Sequence, residues 1–350
     1  MAADMAVELR KQNVACVSLW PGAVKTEIVT DLILSKADQG GKMFHILDIS
    51  YFIFQPNSAI VHSPSEVSSG EVIPLCRLDD ARVCLCPGLI DQESGGCCIP
   101  IKCDHRNDEE VKKLFEKVSQ EQNGQLDILV NNAYQGARAA LEKAGTPFYE
   151  LSVDMWDEVN NVGLRSNYVA AWYAAKMMVP AKQGLIVNIS SPGGLKYSVS
   201  VAYGVGKAAT DRMAADMAVE LRKHNVACVS LWPGAVKTET VMDLIPKKSH
   251  EGKWVSKSGK FLKYAEDVTF SGKAVAWLAA DSDIMKKTGR ILISPELARE
   301  YGFKDVGGTQ PLSMRQVKFH LASSYPSIAW MIPEFVYVPA WLLAAVNHKL

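Results

Sequence analysis

Residues 184–234 read GLIVNISSPGGLKYSVSVAYGVGKAATDRMAADMAVELRKHNVACVSLWPG, and this stretch decides the fold. It contains two runs that are apolar on both faces, GLIVNIS (184–190) and VACVSLW (226–232). Such runs are typical of buried parallel strands. Between them, Tyr203–Asn225 is long enough for a helix, with an apolar stripe that recurs every four residues: Val205, Ala209, Met213, Met217 and Leu221. Strand, helix and strand of these lengths predict a right-handed βαβ unit.

The same alternation continues on both sides of this unit. Three further runs rich in Val, Ile and Leu are predicted strands: IPIKC (99–103), LDILV (126–130) and RILIS (290–294). The helix-length stretches between the runs are Glu109–Gln122, Val153–Val179 and Ala265–Ala280. Alternating strands and helices predict an α/β fold with a doubly wound, Rossmann-like parallel sheet.

Composition and charge narrow the classes of protein. The 350 residues are 48% hydrophobic and 22% charged, a balance that allows a sizeable buried core. Lysine and arginine (38) equal aspartate and glutamate (38), so there is no basic excess to bind nucleic acid. The start, MAADMAVELRKQN, has acidic residues and no continuous apolar core, so we expect no secretory signal and cytosol-facing surroundings.

Six of the eight cysteines lie between Cys76 and Cys103. Their spacings lack paired C-x2–4-C knuckles, and no His-x3–5-His follows them. We therefore expect reduced thiols and no metal site.

The first 33 residues are a copy of a later segment. Met1–Ile33 repeats Met213–Ile245, and the copies differ only at Gln12/His224, Ile28/Thr240 and Thr30/Met242. Two distant copies indicate duplicated coding sequence, because a solenoid needs at least three stacked units. We divide the chain into the duplicated segment with a linker (1–47), an irregular segment rich in Pro, Ser and Gly (48–97), the regular domain (98–320) and a hydrophobic tail (321–350). By analogy with its twin, VACVSL (14–19) is predicted to form a strand at the sheet edge, preceded by a helix (Ala3–Lys11).

Three polar residues stand where the predicted βαβ unit would bring them together. Tyr203 and Lys207 are four residues apart on the predicted helix, and Ser191 follows the strand before it. Open α/β sheets bind ligands at the carboxyl ends of their strands. An ammonium group beside Tyr203 would lower the phenol pKa and allow Tyr203 to exchange a proton with a carbonyl or alcohol oxygen. Ser191 would hydrogen-bond the same oxygen. The alternative from spacing alone is a surface Tyr–Lys pair beside a capping serine.

Four motifs in this order and spacing resemble the short-chain dehydrogenase/reductase family: NNAY (131–134), NISS (188–191), YGVGK (203–207) and WPGAVKT (232–238). The resemblance runs from about Cys98 to Leu297. It implies hydride transfer between NADP(H) and a lipophilic carbonyl compound or alcohol such as a steroid, with NAD left open as the cofactor.

The resemblance also implies a role for individual residues. Tyr203 matches the family's proton donor, Lys207 the residue that lowers its pKa and holds the nicotinamide ribose, and Ser191 the hydroxyl that polarises the substrate. Asp104 matches a carboxylate near the adenine. The other implied cofactor-binding residues are Asn131 and Ala133 after one strand, and Pro233, Gly234, Val236 and Thr238 in a loop that supports the nicotinamide carboxamide.

The chain departs from the family pattern in two places. In the motif W-D-x-V-x-x-V-N, Gly163 stands where the family usually has an asparagine that helps a proton-relay water, and Asn160 and Asn161 are out of register. Upstream of Cys98 no T-G-x3-G-x-G turn is found, although the family uses this turn to bind the pyrophosphate. We therefore expect the first strand, first helix and second strand of the nucleotide half to be missing, which would truncate the fold and weaken cofactor binding.

The tail suggests a membrane partner. Ile328–Val346 is nearly long enough to span a bilayer, but Pro333, Glu334 and Pro339 interrupt it. Its aromatic residues suit a peripheral position in a membrane interface, and the alternative is a cover for the substrate cleft or a subunit contact. The resemblance favours the cytosolic face of the endoplasmic reticulum membrane over the cytoplasm, and it leaves a homodimer open. The alternatives to an enzyme are a catalytically impaired, membrane-associated interaction protein and a misassembled gene product.

Overall fold

The structure is a computed structural model that describes residues 17–19, 33–34, 46–49, 97–98, 101, 103–249, 264–322 and 325–347. The predicted helix at Ala3–Lys11 lies outside these residues.

A six-stranded parallel sheet forms the centre of the described molecule. The strands in chain order are β1 (Val17–Leu19), β2 (Ile33–Leu34), β3 (Ile46–Ile49), β4 (Cys97–Cys98), β5 (Ile128–Asn131), β6 (Gly184–Ile189), β7 (Val226–Trp232) and β8 (Ile291–Ile293). The sheet has the order β1-β3-β5-β6-β7-β8, and β2 pairs with β4 in a separate antiparallel pair. This confirms the predicted α/β class and parallel sheet.

The helices lie between these strands and after them. They are α1 (Asp108–Glu121), α2 (Ala137–Glu142), α3 (Asp154–Asn160), α4 (Ser166–Ala181), α5 (Val201–Leu221), α6 (Glu239–Ser249), α7 (Val268–Ala280), α8 (Ser294–Tyr301), α9 (Val317–Ala322), α10 (Pro326–Ala329) and α11 (Ala340–Asn347). Side-chain caps fix several starts: the Asn107 side chain accepts from the N–H of Glu109, and that of Asp267 from the N–H of Thr269.

Helices cover both faces of the sheet because the strands are apolar on both sides. Ile128 and Val130 of β5 belong to a core cluster that includes residues of α7 and α8. Leu129, between them, belongs to a second cluster that includes residues of α1, α4 and α5. Successive residues of a strand point to opposite faces, so the two clusters are the two layers of a doubly wound fold.

The apolar stripe predicted on α5 is displaced by one position. The buried residues of α5 are Gly206, Lys207, Thr210, Ala214, Ala218 and Leu221, so only Leu221 is shared with the predicted stripe. Val205 is 45% exposed. Small side chains occupy most of the buried row, which allows α5 to lie close to β7; hydrophobicity alone favoured the larger residues of the neighbouring row.

Two other predicted elements differ. Within IPIKC, the described residues Ile101 and Cys103 form no strand, and the nearby β4 belongs to the antiparallel pair. The predicted helix Val153–Val179 is broken between α3 and α4, where Gly163 has a φ of 128°. Only glycine adopts this backbone conformation readily, so Gly163 is the physical cause of the break.

The amino-terminal segment contributes two strands to the sheet. Val17–Leu19 forms β1 at the sheet edge, as predicted for that part of VACVSL. β3, which was not predicted, lies between β1 and β5. The sheet therefore extends beyond β5 by β1, which was predicted, and by β3, which was not.

The tail packs against the residues just before it in the chain. The Gln316 amide donates to the Glu334 carbonyl over 2.6 Å, and Lys318 forms an ion pair of 3.0 Å with the Glu334 carboxylate. Within the described residues, none of the helices is long and apolar enough to cross a membrane.

Candidate active site

The carboxyl end of β6 places two serines beside α5. The Ser190 hydroxyl donates to the Lys207 carbonyl over 3.2 Å. The Ser191 hydroxyl accepts from the N–H of Gly193 over 3.1 Å and so caps a short 3₁₀ turn, Pro192–Gly194. The chain therefore turns sharply after the strand, and the Ser191 hydroxyl stays near the start of α5.

Tyr203 lies in the first turn of α5. The Ser200 hydroxyl caps this helix by accepting from the N–H of Tyr203 over 3.2 Å. A Cβ atom added to Gly193 would lie 2.4 Å from Cε1 of Tyr203, so glycine is required for the ring to pack there. The same added atom would lie 3.5 Å from the Ser191 hydroxyl oxygen, so Ser191 and the Tyr203 ring flank Gly193 together. The structure thus brings Ser191 and Tyr203 together as predicted.

Lys207 lies one helical turn further along α5, in a narrow crevice that it shares with Tyr203. Its side chain is buried, and its amine donates to the Ile189 carbonyl over 3.2 Å. Burial lowers the pKa of Lys207 to about 8, and the nearby carboxylate of Asp211 opposes this effect. The alternative of a surface Tyr–Lys pair is therefore wrong.

The pKa of Tyr203 does not follow the sequence expectation. Burial raises the Tyr203 pKa above its ordinary value, the hydrogen bond from Ser191 lowers it, and the charge of Asp211 raises it further. The expected lowering of the Tyr203 pKa is therefore wrong for this structure, because burial is the largest contribution and the Lys207 amine is held by the Ile189 carbonyl.

The predicted cofactor loop follows β7 and is held by one buried carboxylate. Glu266 forms a parallel bridge with Val236, and its side chain accepts from the N–H of Gly234 over 2.7 Å. Burial raises the pKa of Glu266 to about 8, the hydrogen bond from Gly234 opposes this, and the charge of Asp305 adds to it. Pro233, Gly234, Val236 and Thr238 thus form one anchored loop, in which Thr238 accepts from the N–H of Val241 over 3.3 Å at the start of α6.

Asn131 and Ala133 line the end of β5 next to the crevice. The Asn131 side-chain amide donates to Asn188 Oδ1 over 2.9 Å and to the Asn167 carbonyl over 3.2 Å. It therefore joins β5, β6 and α4. Ala133 is buried in the same core cluster as Val162.

Asp104 is the predicted site residue that is least connected to this group. Its carboxylate accepts hydrogen bonds from the Arg106 guanidinium, with the shortest at 2.7 Å. That hydrogen bond is the main reason why the pKa of Asp104 is below its ordinary value. The described hydrogen bonds of Asp104 are with Arg106 and Glu110 and not with Tyr203 or Lys207. Its role near an adenine stays a prediction.

Sequence reasoning missed three residues around the site. Tyr134 belongs to the quoted NNAY motif, but it was not singled out. Asp211 stands four residues after Lys207 on the same helix, a spacing that could have drawn attention to it, and it accepts from the Trp232 indole over 3.0 Å. For Glu266 no sequence signal was available, because its contact with Gly234 depends on a fold that brings residues 32 positions apart together.

The Gly163 departure is visible in the structure. Gly163 and Asn160 both line the crevice with Tyr203 and Lys207. The Asn160 amide donates to the Ala202 carbonyl over 3.3 Å, and its Oδ1 occupies the space beside Gly206. Position 163 is glycine and has no side-chain amide, so the asparagine amide that lines the crevice belongs to Asn160.

The chain belongs to the short-chain dehydrogenase family. The family model, short chain dehydrogenase, matches residues 70–249. Human "Dehydrogenase/reductase SDR family member 1" is 47% identical over 262 residues, which cover 74% of this chain and 83% of that protein. The mouse protein of the same name is 45% identical over 267 residues, with the same coverage of 74% and 83%. These similarities confirm the family and the oxidoreductase class.

More distant relatives agree with the fold. A "3beta-hydroxysteroid dehydrogenase" from Mediterraneibacter gnavus is 33% identical over 149 residues, covering 42% of this chain and 51% of that protein. A short-chain type dehydrogenase/reductase from Mycobacterium marinum, known from a crystal structure, has a TM-score of 0.53 and 18% identity over 83% of this chain and 89% of that chain. At this identity the structural similarity shows the fold alone.

Proposed function

We propose that the chain transfers a hydride between NADP(H) and a lipophilic carbonyl compound or alcohol, such as a steroid, by a Ser-Tyr-Lys mechanism. The observation that carries the proposal is the placement of Ser191, Tyr203 and Lys207 around the carboxyl end of β6. This end of a parallel sheet is where α/β folds bind their ligands.

In the direction of reduction, Tyr203 gives its phenolic proton to the substrate oxygen. Ser191 donates a hydrogen bond to the same oxygen as negative charge develops there. Lys207 keeps a positive charge near the phenol, which favours the phenolate left behind. When bound at this site, NADPH would supply the hydride for the carbonyl carbon. Oxidation of an alcohol is the reverse, with Tyr203 as the base.

The residues fit the nicotinamide end of this cofactor. The exposed backbone of Gly234 and Ala235 lies at the carboxyl end of β7, next in the sheet to the β6 end that carries Ser191. Lys207 would hold the ribose, and the anchored loop with Thr238 would support the carboxamide. For the pyrophosphate end, the part of the chain with described side chains offers no glycine-rich turn between a strand and a helix. We expect weaker binding there, because contacts with the remote part of a cofactor help to position its reactive end.

The steroid substrate rests on the relative named a 3β-hydroxysteroid dehydrogenase. NADP rather than NAD rests on resemblance to the subgroup. A parallel titration with NADH tests this choice, since tighter binding of NADH would reverse it.

Cofactor titration of the purified full chain tests the proposal. Quenching of protein fluorescence by NADPH should saturate at micromolar concentration, and turnover of a lipophilic ketone should fall by roughly 10²- to 10⁴-fold in Tyr203→Phe. Tyr173→Phe is the matched control. The Tyr173 ring stacks on the Phe115 ring, with 5.5 Å between their centroids, and Tyr173 does not line the crevice. An absence of binding at millimolar NADPH would contradict the enzyme and favour the impaired protein.

A second function, a membrane-associated protein at the cytosolic face of the endoplasmic reticulum, is favoured by the tail. Its exposed large apolar side chains include Ile328, Trp330, Met331, Phe335, Trp341 and Val346. Aromatic residues of this kind suit a membrane interface. Flotation with phosphatidylcholine vesicles tests the contact: the full chain should float, and a Trp330→Ser/Trp341→Ser variant should float less. Equal flotation of both would contradict it.

A homodimer through α4 and α5 completes the proposal. These helices carry exposed Tyr168, Trp172 and Val205, which a partner subunit would bury. Light scattering should give twice the chain's 38.3 kDa, and a monomer mass would contradict the dimer.

A further inference from the structure

We propose that Tyr134 positions Lys207 in the active site, by placing its ring against the lysine amine in space that a side chain at position 163 would otherwise occupy. The inference rests on the proposed function, because it assigns Tyr134 to the same proton-transfer site. The evidence for it is the contact of the Tyr134 ring with Lys207, Tyr203 and Gly163.

The ring of Tyr134 faces both members of the Tyr–Lys pair. The Lys207 amine lies 4.5 Å from the Tyr134 ring centroid, a distance at which a cation is attracted to the face of an aromatic ring. The Tyr203 ring meets Tyr134 edge to face, with 6.1 Å between centroids and 68° between planes. One aromatic side chain therefore restricts the orientation of both groups.

Gly163 and Tyr134 fill one space between them. A Cβ atom added to Gly163 would lie 2.5 Å from Cδ2 of Tyr134, closer than such atoms approach in proteins. The φ of 128° at Gly163 also disfavours any other residue. An asparagine at position 163, as the family usually has, is therefore incompatible with the ring of Tyr134 in its present place. The chain therefore combines Tyr134 with Gly163, where the family usually has an asparagine at the position of Gly163.

Other groups also contact or influence Lys207. The Ile189 carbonyl of β6 accepts its hydrogen bond, and Asp211 on α5 acts on it through charge. Tyr134 itself remains neutral, because burial and the charges of Tyr203 and Glu158 raise its pKa well above the ordinary value. The ring thus offers Lys207 a π face without a competing charge. It favours the ammonium form against burial, which otherwise favours the free amine.

The rate of amine acylation against pH, followed at Lys207 by mass spectrometry, tests the contact without requiring turnover. We expect Tyr134→Leu, which removes the ring and keeps most of its bulk, to lower the apparent pKa of Lys207 by about one unit. Tyr134→Phe keeps the ring and should leave that pKa near its wild-type value. Lys176, whose amine lies 3.5 Å from the Trp172 ring centroid, is the internal control and should be acylated at the same rate in all variants.

The same variants separate this inference from the proposed function. An unchanged Lys207 pKa in a folded Tyr134→Leu protein would overturn the positioning role, whether or not the chain is active. A shifted pKa without NADPH binding in the wild type would support the contact and contradict the enzyme. Where both hold, Tyr134→Leu should shift the pH profile of turnover, and Tyr134→Phe should restore it.

A double-variant cycle tests the shared space and remains informative if one variant folds poorly. Gly163→Asn should lower the melting temperature, and Tyr134→Gly in the same chain should recover part of that loss. Additive melting temperatures would show that the two positions do not compete, and the shared-space argument would fail.

Discussion

The two copies of the repeated segment occupy different places in the same sheet. In the second copy, Val226–Trp232 forms β7, a strand of seven residues that are all buried between β6 and β8. In the first copy, Val17–Leu19 forms β1, a strand of three residues at the sheet edge with β3 as its neighbour. The same residues therefore form a strand in both copies, while the neighbouring strands decide the position of that strand in the sheet and its length.

The structures of the two copies differ at their last residue. Ile245 lies in α6, whereas its twin Ile33 lies in β2 and pairs with Cys98 of β4. Local sequence cannot account for this difference, because the 33 aligned positions differ at three residues only. Tertiary neighbours select the structure where propensity leaves a choice.

The cofactor loop of the second copy depends on residues outside the repeat. The loop after β7 is anchored by Glu266 and stands next to the strand end that carries Ser191. The loop sequence WPGAVKTE (20–27) occurs in the first copy too, outside the described residues. A functional loop needs its supporting neighbours as well as its own residues. Paired substitutions at twin positions can test this view.

The largest effect is expected from truncating one strand leucine in each copy. Leu231 of β7 is fully buried, so Leu231→Ala should destabilise the protein by about 2–5 kcal/mol. Its twin Leu19→Ala, in the edge strand, should cost less than about 1 kcal/mol. Equilibrium unfolding in urea measures both values. Equal losses would show that the copies are packed alike, contrary to the sheet order.

Sequence patterns predicted the elements that depend on strong local signals. β5, β6, β7 and β8 appear within three residues of their predicted bounds, because each is a short apolar run flanked by polar chain. Tyr203 and Lys207 line one crevice and Ser191 lies beside the Tyr203 ring, since strand end and helix start are fixed by the βαβ unit.

Three features could not be predicted from the sequence: the buried row of α5, the strand β3 and the direction of the Tyr203 pKa shift. The buried row of α5 consists mainly of small residues such as Gly206 and Ala214, which hydrophobicity ranks below the neighbouring methionines. β3 was missed because four residues at a segment boundary carry little periodic signal. The pKa of Tyr203 was misjudged because burial, which the sequence does not show, raises it, and the charge of Asp211 raises it further.

The second prediction concerns the anchor of the second-copy loop. The Glu266 pKa rises from 4.5 to about 8 on folding, so the folded state binds the extra proton between these pH values. Its stabilisation is present below pH 4.5 and is lost as pH rises towards 8. Glu266→Gln, which keeps an oxygen acceptor for Gly234, should remove this loss and gain up to about 3 kcal/mol over wild type between pH 5 and pH 8.

Urea unfolding of wild type and Glu266→Gln at both pH values measures the effect. Lys207 titrates in both proteins, so its contribution cancels in the difference. Parallel curves for the two proteins would mean that Glu266 is ionised throughout and does not hold the loop as a neutral acid.

A methyl group in each copy of the loop gives a smaller, matched effect. A Cβ atom at Gly234 would lie 2.5 Å from Oε1 of Glu266, so Gly234→Ala must displace the carboxylate and should cost about 1–3 kcal/mol. Gly22→Ala is the twin substitution in the first copy, and we expect less than about 0.5 kcal/mol there. Melting temperatures and NADPH affinity should both fall for Gly234→Ala alone. A comparable fall for Gly22→Ala would show that the first loop has an equivalent anchor.

The smallest effect is expected from an exposed ion pair in the second copy. Asp216 pairs with Arg212 one helical turn earlier, over 2.7 Å. Because both side chains of the pair are largely exposed, Asp216→Ala should cost only about 0.3–0.5 kcal/mol, and the loss should shrink in high salt. Urea titrations at low and at high salt measure this loss, and a loss that high salt leaves unchanged would mean that the ion pair with Arg212 is not its cause.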